Sequence, residues 1–172
     1  MCGRFTLTRP NLSDLASELR AELDAETRRS YRPRWNIAPT TTSVIAKLDG
    51  TVIKVVSARF GADAPGGAFV INARAETASR LRTFRNAYAH CRCVVPADGF
   101  YEWKGGRGER RPLWFHDPAG GFSFSPGWRS GTHGVELRDR DHGCERSRPA
   151  GPRKNVDAAL ARCGGGVGCE TR

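Results

Sequence analysis

Long apolar runs are missing from this sequence. No stretch approaches the ~20 apolar residues that a membrane helix needs, so no membrane partner is expected. Met1-Cys2-Gly3-Arg4-Phe5 is not followed by the apolar core of a signal peptide. A cytoplasmic protein is therefore expected, with its six cysteines mostly reduced. No Cys-x-x-Cys pair occurs. Cys91 and Cys93 stand two apart, where a strand would point both to one face, which argues against a zinc ribbon. Neither a metal site nor a cofactor is expected, and a monomer is expected. Hydrophobic residues are also scarce, at 38% of 172 residues, which suits one soluble globular domain. Acids are outnumbered, with 18 against 28 Lys and Arg, for a net charge of +10. That balance suits a polyanionic partner, most often nucleic acid, or else a solubilising surface rich in Arg.

What is present is unevenly placed. All four Ile and every aromatic except Trp128 lie within residues 1–126. Residues 127–172 are rich in Arg, Asp and Gly without helical or strand periodicity, and read as a divergent, disordered tail. Upstream, Leu12, Leu15, Ala16, Leu19 and Leu23 fall at helical spacing, predicting a helix over 12–27 capped by Asn11 or Ser13. The segment 32–40 carries two prolines and predicts an extended loop. The runs 43–48 and 51–58 are β-rich and joined by Asp49-Gly50, a hairpin signal of the type I′ kind. Further strands are predicted over 68–72, 92–95, 100–103, 112–115 and 121–124, and a helix over 76–88. The sum is α+β.

Three places could carry chemistry. Cys2 follows the initiator Met, and its small side chain permits Met1 removal. The exposed residue would hold an α-amine, with a pKa near ~7.7–8.0, beside a thiol near ~8.5. Such a 1,2-aminothiol condenses with an aldehyde to a Schiff base, and sulfur then closes a thiazolidine ring. Internal Lys and Cys lack that paired geometry. The alternative is an ordinary small residue at a start codon. Asn72 and Arg74 lie where a strand is predicted to meet a helix. They offer an amide and a phosphate-binding fork, or else a turn residue and a local Arg74–Glu76 pair. Glu102 stands between Tyr101 and Trp103. Facing inward, its pKa would rise and make it a usable acid or base; facing outward, it would be an ordinary strand carboxylate.

Met1-Cys2-Gly3-Arg4-Phe5, Trp35-Asn36-Ile37-Ala38-Pro39, residues 71–77 and residues 95–103 together resemble the SRAP family, the SOS-response-associated peptidase-like or abasic-site processing proteins. The likeness extends over residues 1–126, in order and spacing. It implies an α+β fold, a compact domain with a small β-barrel core and flanking helices. It also implies loss of Met1, binding of single-stranded DNA, and a thiazolidine crosslink to the aldehyde of an abasic site in the DNA damage response. Carried over, Cys2 is the nucleophile, Asn72 helps hold the sugar and N-terminus, and Glu102 is the acid/base carboxylate. Arg4 and Arg74 contact phosphates, and Asn36 and Pro39 line the DNA side. The expected partner is single-stranded DNA containing abasic sites. Two departures stand out. The family's downstream His-x-Arg motif, whose His is catalytic, is not found, and the abrupt change after Phe124 reads as a frameshift. His133 or His142 is the candidate substitute, and a defective DNA-binding fragment is the alternative function. Second, Phe60 stands where members usually carry Trp before Gly61, keeping apolar bulk and losing the indole N–H.

Overall fold

The computed structural model describes residues 3–64, 66–106, 108–128 and 137–138. In chain order they form β1 (Arg4–Leu7), α1 (Ser13–Leu19), β2 (Glu22–Leu23), α2 (Ala25–Ser30), β3 (Arg34–Ile37), β4 (Thr42–Asp49), β5 (Val52–Phe60), β6 (Ala62–Asp63) and β7 (Phe69–Val70). There follow α3 (Ala75–Ala78), α4 (Arg85–His90), β8 (Arg92–Ala97), β9 (Gly99–Lys104), β10 (Arg111–His116), β11 (Ser123–Trp128) and β12 (Leu137–Arg138). The class is α+β, as expected.

The strands fall into a four-stranded sheet in the order β10-β9-β1-β3, a six-stranded sheet running β11-β8-β4-β5-β12 with β2 beside β5, and the pair β6-β7. No closed barrel forms among the described residues. The core lies where the two larger sheets meet. Phe5, Leu7 and Ile37 of the first sheet join Val44, Ile45, Val55, Phe60 and Cys93 of the second, with Leu12 and Leu15 closing one side. Each such side chain contributes ~1.5–3 kcal/mol on full burial. Phe60 packs edge-on against Phe5, with ring centroids 5.5 Å apart. The position therefore needs apolar bulk, which Phe supplies in place of Trp.

The β4–β5 hairpin forms as predicted, but its turn lies one residue further along. Asp49 pairs with Val52, leaving Gly50 and Thr51 as the loop. Only Gly50 has positive φ there, at 61°. Positive φ at the first loop residue alone is the pattern of a type II′ turn rather than type I′.

The single helix predicted over 12–27 is instead two short helices with β2 between them. Arg20 adopts left-handed φ at 51°, and Ala21 N–H donates to Ala16 O at 2.8 Å, closing α1. Leu23 then pairs with Val55 in a parallel bridge. Asp24 opens α2 by accepting from Thr27 N–H at 2.8 Å, and that bond holds its carboxyl below the ordinary range. Asp24→Ala is expected to cost about 1 kcal/mol, read as a lowered denaturant midpoint.

Asn11 accepts the Ser13 N–H at 2.8 Å, but the N-cap of α1 is Leu12, which has no side-chain cap, rather than the Asn11 or Ser13 expected. The prolines of 32–40 leave room for β3, an edge strand. The helix predicted over 76–88 is likewise split, into α3 and α4. β11 runs through residue 128, two residues past the boundary drawn at 126, and pairs with β8. β12 pairs with β5. Cys93 is buried in the core. Cys91 is disulfide-bonded, an exception among cysteines expected to be mostly reduced.

Candidate functional site

The first described residues lie in the middle of the four-stranded sheet. β1 pairs antiparallel with β9 on one side, Arg4 opposite Tyr101 and Phe5 opposite Phe100, and with β3 on the other. Phe5 and Phe100 face the core, so Arg4, Thr6 and Tyr101 share the outer face. Arg4 Nη1 donates to Asn36 Oδ1 at 2.7 Å, joining two of the residues expected to meet DNA. Tyr101 Oη reaches across β1 to donate to the Trp35 carbonyl at 3.0 Å.

Glu102 alternates to the side of Phe100 and is half-buried, whereas Trp103 beside it is 46% exposed. The inward reading of Glu102 therefore fits the strand's alternation. Arg4 and Glu102 accordingly belong to opposite faces of the sheet. Extending the β1–β9 register by one residue sets Gly3 level with Glu102. A Cβ at Gly3 would lie 3.7 Å from Ile71 Cδ1, so residue 3 also borders the segment that carries Asn72. Asn72 is exposed, as is Arg74 at the start of α3, where its carbonyl accepts from Ala78 N–H at 2.9 Å. Pro39 is half-buried on the connection after β3. The next residue, Thr40, has φ of 74°, a strained conformation for a β-branched side chain. Its N–H donates to Phe60 O at 2.8 Å, which holds the loop to β5. Cys2, His133 and His142 lie outside the described residues.

A polar cluster that the sequence did not single out fixes β1 in place. Asp98 accepts from Thr6 Oγ1 at 2.6 Å, from Thr8 Oγ1 at 2.8 Å and from Thr8 N–H. Its own N–H donates to Thr6 O. Three charge-assisted bonds thus tie β1 to the start of β9. Tyr31 Oη donates to the Leu7 and Arg9 carbonyls, at 3.2 and 2.9 Å. Burial, with the Asp98 charge adding to it, pushes the Tyr31 phenol up to about 12 from 10.0. A raised folded value means the neutral phenol is favoured by the fold. Its contribution is complete below pH 10 and is lost as pH rises through about 12. Denaturant unfolding at about pH 9 and about pH 12 is therefore expected to show a larger loss for the native chain than for Tyr31→Phe.

Part of the cationic excess has structural work. Arg9 lies over Phe122, Arg59 over Phe69 and Arg92 over Tyr88, each within 5.2 Å of the ring centroid. Arg32 donates to the Arg29 and Tyr31 carbonyls. Among the described residues no group of three or more His, Cys, Asp or Glu could hold a metal ion. No helix there is long and apolar enough to cross a membrane.

The chain is similar to the abasic site processing protein YoqW of Bacillus subtilis (strain 168), 36% identical over 110 residues, which are 60% of this chain and 48% of that protein. It is 33% identical over 123 residues to the abasic site processing protein YedK of Escherichia coli (strain K12), covering 67% of this chain and 54% of that one. The chain thus spans about half the length of these relatives. Its backbone superposes on the crystal structure of a phage-related protein from Bordetella bronchiseptica with a TM-score of 0.61 and 28% identity, over 83% of this chain and 66% of that one. The family model for SOS response associated peptidase (SRAP) matches residues 1–134. With that match over more than half of its length, the chain belongs to the SRAP family.

Proposed function

We propose that this chain binds single-stranded DNA and captures abasic sites through Cys2, as an abasic site processing protein of bacterial cytoplasm. The observation that carries the reading is what borders the start of β1. Gly3, next to Cys2, borders Ile71 and comes level with Glu102, while Arg4 is hydrogen-bonded to Asn36.

The chemistry balances without a cofactor. After Met1 is removed, the neutral amine of Cys2 attacks the sugar aldehyde, and the carbinolamine loses water to give a Schiff base. The thiol then adds across C=N, forming a C–S bond while its proton passes to nitrogen. Glu102 has the role of delivering and accepting protons in the first two steps, and Asn72 that of holding the opened sugar. Arg4 and Arg74 are assigned to phosphates, Asn36 and Pro39 to the DNA-facing side. Incubating the 172-residue chain with an abasic single-stranded oligonucleotide tests this. A denaturation-resistant adduct is expected, and its absence would refute covalent capture.

A second reading is favoured by the span of the match. A chain whose match covers about half the length of its relatives, without the family His motif, would bind DNA reversibly without crosslinking. In that case the segment 127–172 is a divergent tail and supplies no substitute for the family His. Reversible binding with no adduct is its signature.

Under either reading Arg74→Ala should weaken binding alike for all sequences and reduce the slope of log K against log salt by about 1. A loss confined to some sequences would count against a phosphate role for Arg74.

A further inference from the structure

The outer face of the four-stranded sheet carries an aromatic surface that the site above does not use. Register places Arg4, Tyr101 and Trp114 in one row across β1, β9 and β10, with Asn36 at its β3 end. Trp114 stacks on His116, two residues on, with centroids 4.0 Å apart and planes 21° apart. Its other neighbour is Trp35, edge-on at 5.4 Å.

The arrangement is built rather than incidental. Gly99 lies beneath the indole, and a Cβ there would come within 2.3 Å of Trp114 Nε1. Only glycine lets the ring lie over β9 at this point. The indole N–H points to Thr6 Oγ1 at 3.4 Å, a hydroxyl already committed to Asp98. Although packed in this way, Trp114 remains 38% exposed and Trp35 59% exposed. Large rings held in fixed geometry and left open to solvent are costly to hydrate, and only Tyr101 separates Trp114 from the Arg4 guanidinium along the row.

We propose that Trp35 and Trp114, backed by His116, form a stacking platform for unpaired nucleobases that flank the captured site. The proposal rests on the reading of single-stranded DNA as the partner. Charge complementarity commits it to that occupant. The chain carries +10, and the platform continues the Arg4–Asn36 pair assigned above to the DNA. Flat π-faces beside cations suit a strand whose bases are exposed and whose backbone is anionic.

The test compares two oligomers of equal length and charge. One is an oligothymidylate, the other a base-free strand of tetrahydrofuran abasic analogues, which has no aldehyde to capture. The native chain is expected to bind oligothymidylate about ten-fold more tightly, since each stacked base adds affinity that phosphates do not. Trp35→Ala and Trp114→Ala are each expected to remove most of that preference while leaving base-free binding and the salt slope unchanged. Trp114→Phe should restore part of it. Trp35→Ala removes a mostly exposed side chain, so it keeps the test open if Trp114→Ala unfolds.

Equal binding of the two oligomers by the native chain would overturn the platform and leave the DNA reading intact. Binding of neither would overturn both. A dimer that Trp35→Ala dissolves would assign the face to a second copy and overturn the proposal.

Discussion

Cys2→Ala is expected to eliminate the denaturation-resistant adduct with abasic single-stranded DNA while leaving reversible binding within about two-fold. The thiazolidine needs nitrogen and sulfur on one residue, and alanine retains only the amine. An amine alone gives a Schiff base, which water reverses. Cys2→Ser separates the two steps. It keeps a Schiff base that borohydride can trap, yet gives no stable adduct without reductant. The loss should therefore be complete by denaturing electrophoresis without borohydride and partial with it. Full crosslinking by Cys2→Ala without reductant would rule out the aminothiol route and send the search to a lysine.

Glu102→Gln is expected to slow adduct formation by about 10²–10⁴-fold, the usual worth of a positioned acid or base. Glutamine preserves size and hydrogen bonding, so the half-buried position on β9 stays filled. What it removes is the proton that must reach the carbinolamine oxygen as water leaves. The readout is the single-turnover rate at saturating DNA, with the dissociation constant measured in parallel. A slowed rate at unchanged affinity assigns Glu102 to proton transfer. Weakened affinity at an unchanged rate would assign it to holding the strand.

Local chemistry made the β4–β5 hairpin legible, because branched residues on either side of Asp49-Gly50 leave few alternatives. It failed over 12–27 because Leu23 satisfies helical spacing as well as it satisfies a strand. Periodicity alone cannot report that Arg20 turns left-handed and sends Leu23 to pair with Val55. The half-buried Glu102 was foreshadowed by the aromatics beside it, since a strand that shows Tyr101 and Trp103 on one side must turn Glu102 to the other. Arg4 with Asn36, Tyr101 with Trp35 and Asp98 with Thr6 were invisible as pairs, for they join distant segments. Each partner taken singly is an ordinary residue. The aromatic face had one sequence signal. Trp114 lies on the segment 112–115 predicted to be a strand, and Tyr101 and Trp103 alternate on theirs, 100–103.

The position of β1 between β3 and β9 also governs when the protein can work. Its clamp at Asp98 lies 92 residues beyond Thr6, and its neighbour β9 ends at Lys104. As the chain leaves the ribosome, the opening strand must wait for most of the domain before it can take its central place. Contacts of such long sequence separation are slow to form. The surroundings that would select a target for the first residues are therefore assembled late. Early fragments that end before β9 would present the same amine and thiol without that selectivity.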